Sequence, residues 1–364
     1  HAPARGQPKV TPILPPVPGQ PRPSIPWAID FSSDGSLIAT CGSHTRVYEV
    51  KTGKLLHDIE GKFTKAIAFN AIAFSPANPN QFVCGGADGL LQLWQVGKKD
   101  LVREFRGHDG VIWSAACDKS GQYVASGSAR YQEGKAALGQ FRLWETKTGK
   151  AVQSLDVKDG AIQGVSFSAD GKLVAFCRNM SNEASSVEVY HVQPWKLASS
   201  VKLSAGANLE TTKWGKAVPF GFSTRFEPDQ KRLLVAGGIC VRVDPAPYTF
   251  ACQTTGLLWR ASLGEASATL LDEPKPEYYR SLGITPDGKR FATGNGNNAV
   301  LGGKARIQMR DVETGKLLWS VASDAEPYAV TMSPDGEIVA AGQREGVLLL
   351  NAKTGETIRL IAAK

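Results

Sequence analysis

Short apolar runs separated by turn residues recur along this chain, and residues 66–108 show the pattern most clearly. Apolar runs cover residues 71–74, 82–86, 90–94 and 101–105, with the turn dipeptide Asp88-Gly89 between the second and the third. Each run is too short for an ordinary helix and is rich in residues that suit a pleated surface. The pattern therefore predicts four short strands joined by tight turns, in a sheet whose two apolar faces need neighbours.

The pattern recurs in register through the rest of the chain. The turns predicted between the first and second strands of successive copies fall at Gly35, near Asn80, at Gly121, at Gly171, near Gln230, at Gly288 and at Gly336. The copies cover residues 27–61, 66–106, 109–157, 160–203, 218–273, 278–322 and 326–362. Such repeats are typical of propeller blades, and ring closure leaves no sheet edge open between blades. The sequence thus predicts an all-β fold, a seven-bladed β-propeller of four-stranded antiparallel blades over residues 27–364.

The repeat resembles that of the WD40 family. The resemblance rests on the Ser-Pro-Asp-Gly turn, on the third-strand pairs Leu93-Trp94 and Leu143-Trp144, and on Gly107-His108. No copy carries a literal Trp-Asp pair in its third strand, and Gly-His occurs once. The resemblance implies that His108 is a structural histidine and that the family's buried His–Ser–Asp–Trp network is incomplete in most blades. Packing of apolar strands must then carry more of the stability.

The copies differ mainly in the connections between their second and third strands. Four of these connections are long, at residues 128–140, 178–186, 239–256 and 295–305, and so is the connection at 204–220 between the fourth and fifth copies. In propellers of this kind all five would lie on one face. Insertions that cluster on one face of a repeat array usually mark its binding face.

The long connections carry aromatic, arginine and asparagine side chains, and aromatic and arginine residues commonly anchor interfaces. We expect the partner-binding residues to be Arg130, Tyr131, Asn179, Met180, Asn182, Trp214, Arg242, Tyr248, Phe250, Asn295, Asn297 and Asn298. The alternative is that these connections only pack on one another and cover the channel mouth. Deletion of residues 242–250 is expected to leave the propeller folded and to abolish partner capture.

The six cysteines fall into two groups. Four lie within strand runs and are expected to act as small buried hydrophobic residues, namely Cys41, Cys84, Cys117 and Cys177. Cys240 and Cys252 instead bracket an insertion that is expected to form a small hairpin. A disulfide at its base would stabilise the fold by roughly 3 kcal/mol and would indicate an oxidising compartment.

Catalytic and metal-binding patterns are scarce. The histidines are His1, His44, His57, His108 and His191, and none lies at ligand spacing from another histidine, a cysteine or a carboxylate. Four aspartates recur in tight turns, where hydrogen bonds to the backbone explain them: Asp34, Asp170, Asp287 and Asp335. The sequence therefore predicts no catalytic residue, no metal site and no cofactor.

Charge and composition limit the remaining functions. The net charge is +8, but no block of five basic residues occurs, so nucleic-acid binding is not expected. No apolar run approaches the roughly 18 residues of a membrane helix. Residues 1–26 contain nine prolines and are expected to form an extended tail or linker. Such a tail often follows a removed signal peptide, which favours a periplasmic or secreted location over a cytoplasmic one.

These observations predict a non-catalytic interaction scaffold that binds a partner protein through enlarged loops on one face, as a subunit of a larger assembly. The alternative is a propeller enzyme or a small-ligand-binding protein with its site at the mouth of the central channel. Convergent carboxylates or a bound cofactor at that mouth would favour the alternative.

Overall fold

The computed structural model describes residues 26–60, 69–130, 137–180, 183–204, 211–212, 215–242, 250–251, 255–272, 278–296, 305–323, 327–343 and 346–362. These residues form thirty β-strands in seven sheets, which confirms the predicted all-β propeller. The proline-rich segment lies outside the described residues as far as residue 25.

Six of the sheets contain four antiparallel strands in chain order. Blade 1 consists of β1 (Ala28–Phe31), β2 (Leu37–Cys41), β3 (His44–Glu49) and β4 (Leu55–Glu60). Blade 2 consists of β5 (Phe69–Ser75), β6 (Asn78–Gly86), β7 (Leu91–Gln95) and β8 (Arg103–Phe105). Blade 3 consists of β9 (Val111–Cys117), β10 (Tyr123–Arg130), β11 (Leu138–Glu145) and β12 (Ala151–Lys158). Blade 4 consists of β13 (Gly160–Phe167), β14 (Leu173–Met180), β15 (Ser186–His191) and β16 (Lys196–Lys202).

Blade 5 carries two additional short strands, β17 and β20. It consists of β17 (Thr211–Thr212), β18 (Gly215–Phe226), β19 (Arg232–Arg242), β20 (Phe250–Ala251), β21 (Gly256–Ser262) and β22 (Thr269–Leu270). Blade 6 consists of β23 (Tyr278–Ile284), β24 (Arg290–Gly296), β25 (Arg306–Asp311) and β26 (Leu317–Ala322). Blade 7 consists of β27 (Val330–Met332), β28 (Ile338–Gln343), β29 (Gly346–Asn351) and β30 (Thr357–Ala362).

The first strands of the blades contact one another in a closed circle. The order is β1, β5, β9, β13, β18, β23, β27 and again β1, so these strands surround a central channel and the fourth strands form the rim. Within the described residues, blade 1 and blade 7 each take all four strands from one end of the chain, and no strand is exchanged between them. Closure therefore rests on side-chain packing, in which Trp27 stacks on Tyr328 with ring centroids 4.8 Å apart and Phe31 joins Leu349 in one apolar cluster.

Apolar side chains between neighbouring blades form the core. Val47 of blade 1 packs in one cluster with Phe82 of blade 2, and Cys177 of blade 4 packs in another with Val235 of blade 5. Burial of each such side chain contributes about 1.5–3 kcal/mol. Cys41, Cys84 and Cys177 are fully buried as expected, whereas Cys117 is half-buried beside the channel.

The turns between first and second strands form a second ring of contacts. The Asp335 carboxylate accepts a hydrogen bond of 3.0 Å from Glu337 N, and Asp34, Asp170 and Asp287 make the same bond, which confirms their predicted role. Gly336 has φ +76° and lies against Pro286 of the preceding blade. Gln230 takes the glycine's place in blade 5, with φ +58°. The turn predicted near Asn80 was misplaced: it lies at residues 76–77, and Asn80 belongs to β6, because the strand pairing resumes directly after Pro76 and Ala77.

Three members of the network implied by the resemblance, a histidine, a serine and a tryptophan, are linked in blade 3 as His108, Ser126 and Trp144. Other blades fill the same positions differently. In blade 6, Arg310 pairs with Phe291 in the register in which Trp144 pairs with Val124. Its guanidinium is 1% exposed and donates to Asp272 Oδ2 at 2.6 Å and to Gly315 O at 2.9 Å. These partners offset the cost of burying a charge.

Candidate partner-binding face

The first strands begin on the face of the ring from which the second-to-third connections depart. Trp27 N donates to Cys41 O at 2.7 Å, at the end of β2, and Tyr278 pairs with Gly296, at the end of β24. The strand ends joined by the longer connections of blades 3 to 6 therefore lie on the same face as the mouth of the channel. We call this side of the ring the loop face and the side that carries the tight turns the turn face.

Blade 5 extends furthest on the loop face. Its first two strands contain 12 and 11 residues, more than the other first and second strands. Two short strands continue the sheet there, because Thr212 pairs with Gly215 and Val241 pairs with Ala251. The predicted hairpin at the blade 5 insertion thus has a paired base. Cys240 lies in β19, and Cys252 lies outside the described residues.

A cluster of one arginine and four aromatic rings lies at the mouth of the channel, and we call it the mouth cluster. Its members come from blades 1, 5, 6 and 7. The Arg280 guanidinium carbon lies 5.6 Å from the ring centre of Trp27, 5.8 Å from that of Phe222, 5.3 Å from that of Tyr278 and 5.4 Å from that of Tyr328. All five side chains are partly exposed. Contacts between a guanidinium and aromatic faces contribute about 0.5–2 kcal/mol each, so the cluster holds its charge in a fixed place.

β-Bulges in the first strands bring side chains to the channel. The pairing with the second strand skips Trp113 in β9, Phe222 in β18 and Arg280 in β23. A bulge leaves one residue without a partner in the ladder and turns its side chain to a new direction. Each of the three remains partly exposed although it lies in an innermost strand. The bulges therefore turn large side chains toward the channel.

The structure places several of the sequence-predicted residues in strands, where a loop was expected. Asn179, Met180 and Asn295 end β14 and β24, and all three are buried. Asn179 joins two blades, since its amide donates to Gly221 O at 2.8 Å and its Oδ1 accepts from Gly221 N at 2.9 Å. Asn295 Oδ1 accepts from Arg306 N at 2.5 Å. The side chains of Asn179 and Asn295 are thus engaged within the ring.

The remaining predicted residues lie at the edge of the loop face or beyond the described parts. Arg130 ends β10 with 40% of its side chain exposed, and its Nη1 lies 3.9 Å from Asp109 Oδ2. The backbone of Arg242 pairs with that of Phe250. The others lie outside the described residues, namely Tyr131, Asn182, Trp214, Tyr248, Asn297 and Asn298. Their role in partner binding stays a prediction.

Sequence reasoning missed the mouth cluster entirely. Its members lie in or directly before first strands, and long connections were the criterion used to locate a binding face. The signal that was available is the occurrence of a large aromatic residue where a first strand begins, as at Trp27, Tyr278 and Tyr328. Such a position opens onto the channel mouth once the ring closes.

No metal centre or membrane-spanning helix occurs in the described parts of the chain. Groups of three or more His, Cys, Asp or Glu side chains suited to a metal ion are absent there. Among the same residues no helix combines the length and the apolar character needed to cross a membrane.

Comparison with known protein families identifies the repeat in part of the chain. Residues 53–95 and 99–131 match the WD40 family model, described as WD domain, G-beta repeat. These two stretches carry WD40 repeats. The matches overlap blades 1 to 3, and the seven propeller blades confirm the predicted resemblance over the rest of the ring.

Several characterised proteins are similar to this WD40 propeller. Protein SPA1-related 4 of Arabidopsis thaliana is 25% identical over 36% of this chain and 16% of its own length. Eukaryotic translation initiation factor 3 subunit I of Phaeosphaeria nodorum is 32% identical over 38% of this chain and 42% of its own length. The serine-threonine kinase receptor-associated protein of Gallus gallus is 21% identical over 77% of this chain and 78% of its own length. The chain thus spans less than half of the length of the first two.

Proposed function

We propose that this WD40 propeller is a non-catalytic interaction platform that captures a partner protein over the channel mouth. The mouth cluster is the observation that carries the proposal. Tryptophan, tyrosine and arginine are the residue types enriched at interface hot spots, and here they lie together, partly exposed, at the centre of the loop face.

The scaffold around the cluster favours tight capture. Trp27, Arg280 and Tyr328 are attached to innermost strands or directly precede them, and these strands are fixed on both sides by neighbouring blades. A surface held in this way loses little conformational entropy when a partner binds. The names of two similar proteins describe a subunit of an initiation factor and a receptor-associated protein, which supports a role within an assembly.

Affinity capture with matched variants tests the proposal. Immobilised wild-type protein and the variants Arg280→Ala and Tyr328→Ala are incubated with extract of the source organism, and the retained proteins are quantified by mass spectrometry. Binding of each captured protein is then measured with the purified pair. Truncation of a hot-spot residue typically costs 2 kcal/mol or more, so we expect each variant to bind at least about tenfold more weakly.

The control is Lys172→Ala on the turn face, where the lysine side chain is 81% exposed. This variant is expected to retain the partner with unchanged affinity. If a partner binds the two mouth variants as tightly as the wild type, or is lost only with Lys172→Ala, then the mouth cluster is not the docking site.

A further inference from the structure

Two opposite charges occupy equivalent positions in the first strands of blades 1 and 5, at a level of the channel that we call the floor layer. Asp30 and Arg225 are the penultimate residues of β1 and β18, and both are partly exposed. The equivalent first-strand residues of the other five blades are small, namely Ala73, Ala116, Ser166, Gly283 and Thr331. The floor layer therefore combines one carboxylate and one guanidinium with five short side chains.

Both charges have few hydrogen-bond partners among the described residues. Arg225 donates one hydrogen bond, from Nη1 to Thr224 O at 2.8 Å, although a guanidinium carries five N–H donors. Asp30 Oδ2 accepts a hydrogen bond of 2.8 Å from Phe74 N in blade 2. Burial raises the pKa of Asp30 and lowers the pKa of Arg225, and the charge of each group opposes the shift of the other. They form no ion pair, so more than 4.0 Å separates the guanidinium nitrogens of Arg225 from the carboxylate oxygens of Asp30.

The hydrogen bond from Phe74 N to Asp30 joins blades 1 and 2, but this bond does not require a charged acceptor. Comparable joins elsewhere use a neutral hydroxyl: Ser114 Oγ accepts from Val165 N at 3.2 Å, and Ser281 Oγ accepts from Val330 N at 2.7 Å. A serine is thus sufficient to accept a backbone N–H from the next blade. Burial raises the pKa of Asp30 to about 6, so the carboxylate is held at an energetic cost. A serine hydroxyl could accept the same hydrogen bond without this cost. The presence of a carboxylate at this position therefore indicates a ligand.

We propose that the floor layer binds a small zwitterion of the α-amino acid class. Its carboxylate would accept hydrogen bonds from the Arg225 guanidinium, and its ammonium group would donate to the Asp30 carboxylate. A simple anion would be repelled by Asp30 and a simple cation by Arg225, whereas a zwitterion offsets both charges. The neighbouring small residues leave space for the ligand's carbon skeleton.

Calorimetric titration near neutral pH with glycine, the smallest such zwitterion, tests this assignment. We expect one saturable site in the wild-type protein and at least about tenfold weaker binding in Asp30→Asn and Arg225→Met, which equals about 1.4 kcal/mol or more. Asp30→Asn keeps an oxygen that can accept from Phe74 N and removes only the charge. Ser281→Ala is the matched control, since it breaks a join between blades outside the floor layer and should leave glycine binding unchanged.

Titration with two small ions that each carry one of the two charges of glycine makes the test independent of whether the variants fold. Acetate and methylammonium, titrated separately into the wild-type protein, should each bind at least about tenfold more weakly than glycine. Absence of saturable glycine binding at millimolar concentration would mean that only water occupies the floor layer and would overturn the proposal. Binding of acetate as tight as that of glycine, or a folded Asp30→Asn variant with unchanged affinity, would overturn it as well.

Discussion

The indole nitrogen of Trp144 donates a hydrogen bond of 2.8 Å to the hydroxyl of Ser126 inside blade 3. The same hydroxyl lies 2.7 Å from Nε2 of His108, whose other ring nitrogen lies 2.8 Å from Ser128 Oγ. One serine oxygen thus serves two buried partners, one in β11 and one in the segment between β8 and β9. Ser126→Ala is expected to reduce the free energy of unfolding by about 1–3 kcal/mol, since both partners lose a hydrogen bond in the core. Urea unfolding measures the change, and a loss below 0.5 kcal/mol would contradict it.

Blade 2 offers the converse experiment at Cys84. Phe82 pairs with Trp94 in blade 2 as Val124 pairs with Trp144 in blade 3, so Cys84 takes the place of Ser126. The indole N–H of Trp94 and the hydroxyl of Thr45 are buried without a hydrogen-bond partner among the described residues. We expect Cys84→Ser to supply an oxygen for them and to raise the free energy of unfolding by about 1 kcal/mol.

Cys177→Ser is the control for this gain. Cys177 is fully buried in an apolar cluster with Val187 and Val235. A hydroxyl introduced there has no polar side chain of that cluster to bond, so this variant is expected to be destabilised by about 1–3 kcal/mol. If both serine variants lose stability equally in urea unfolding, the buried groups near Cys84 do not need an oxygen.

Protonation of His108 should weaken the fold in acid. Burial, assisted by the Arg142 charge, lowers the pKa of His108 to about 3, whereas an unfolded histidine titrates near 6.5. The unfolded chain therefore binds more protons between these values, and the stability that His108 provides above pH 6.5 is lost as the pH falls toward 3. At pH 4.5 the loss should amount to about 2–3 kcal/mol.

Comparison with His108→Gln isolates this effect from the other titrating groups. The raised pKa of Asp30 acts in the opposite direction, because its protonation favours the folded state as the pH falls below about 6. Both proteins carry Asp30, so the difference between their free energies of unfolding reports on His108. We expect that difference to shrink by about 2 kcal/mol between pH 7 and pH 4.5, and a constant difference would show that His108 is protonated in the folded state.

The fold could be predicted because its signals are local and repeat in every blade. Asp34 and Asp335 form the same turn at opposite ends of the chain, and each turn is readable from a few adjacent residues. Strand ends were harder to place. Asn179 was assigned to a loop because it is polar, but its amide completes the hydrogen bonding of Gly221 in the next blade.

The mouth cluster depends on contacts that no local pattern contains. Trp27 meets Tyr328 only because the first and last blades close the ring. Arg280 reaches the same place through a bulge in β23, and the bulge is visible in the strand register and not in the sequence. Ring closure and strand register therefore determine which aromatic residues form the mouth cluster, whereas the repeat pattern alone determines the fold.

The ring of turns on the turn face predicts a graded response to alanine at glycine positions. Gly336 and Gly97 have nearly the same φ, +76° and +78°. A methyl group at Gly336 would lie 2.9 Å from Pro286, whereas at Gly97 nothing lies within 4 Å. We expect Gly97→Ala to cost about 1–2 kcal/mol through the backbone alone, and Gly336→Ala to cost at least about 1 kcal/mol more through overpacking. Equal losses in urea unfolding would show that the contact between Gly336 and Pro286 relaxes freely.

Cys240 and Cys252 bracket the insertion of blade 5 in the sequence. The observed pair of Val241 with Ala251 is flanked in the sequence by these two cysteines, one residue before the first and one after the second. We expect protein purified without reductant from an oxidising compartment to contain one disulfide between them. Intact mass spectrometry after unfolding should find two hydrogen atoms fewer than in the reduced protein, and peptide mapping should join the two residues.

The double variant Cys240→Ser/Cys252→Ser tests what that bond contributes. It should lower the free energy of unfolding by up to about 3 kcal/mol under oxidising conditions, because the cross-link restricts the unfolded chain. Under reducing conditions the wild type and the double variant should unfold alike. Cys41 and Cys84 are buried and should be alkylated only after unfolding, in both proteins. Alkylation of all six cysteines without prior reduction would show that the hairpin carries no disulfide and would remove the cysteine argument for an oxidising compartment.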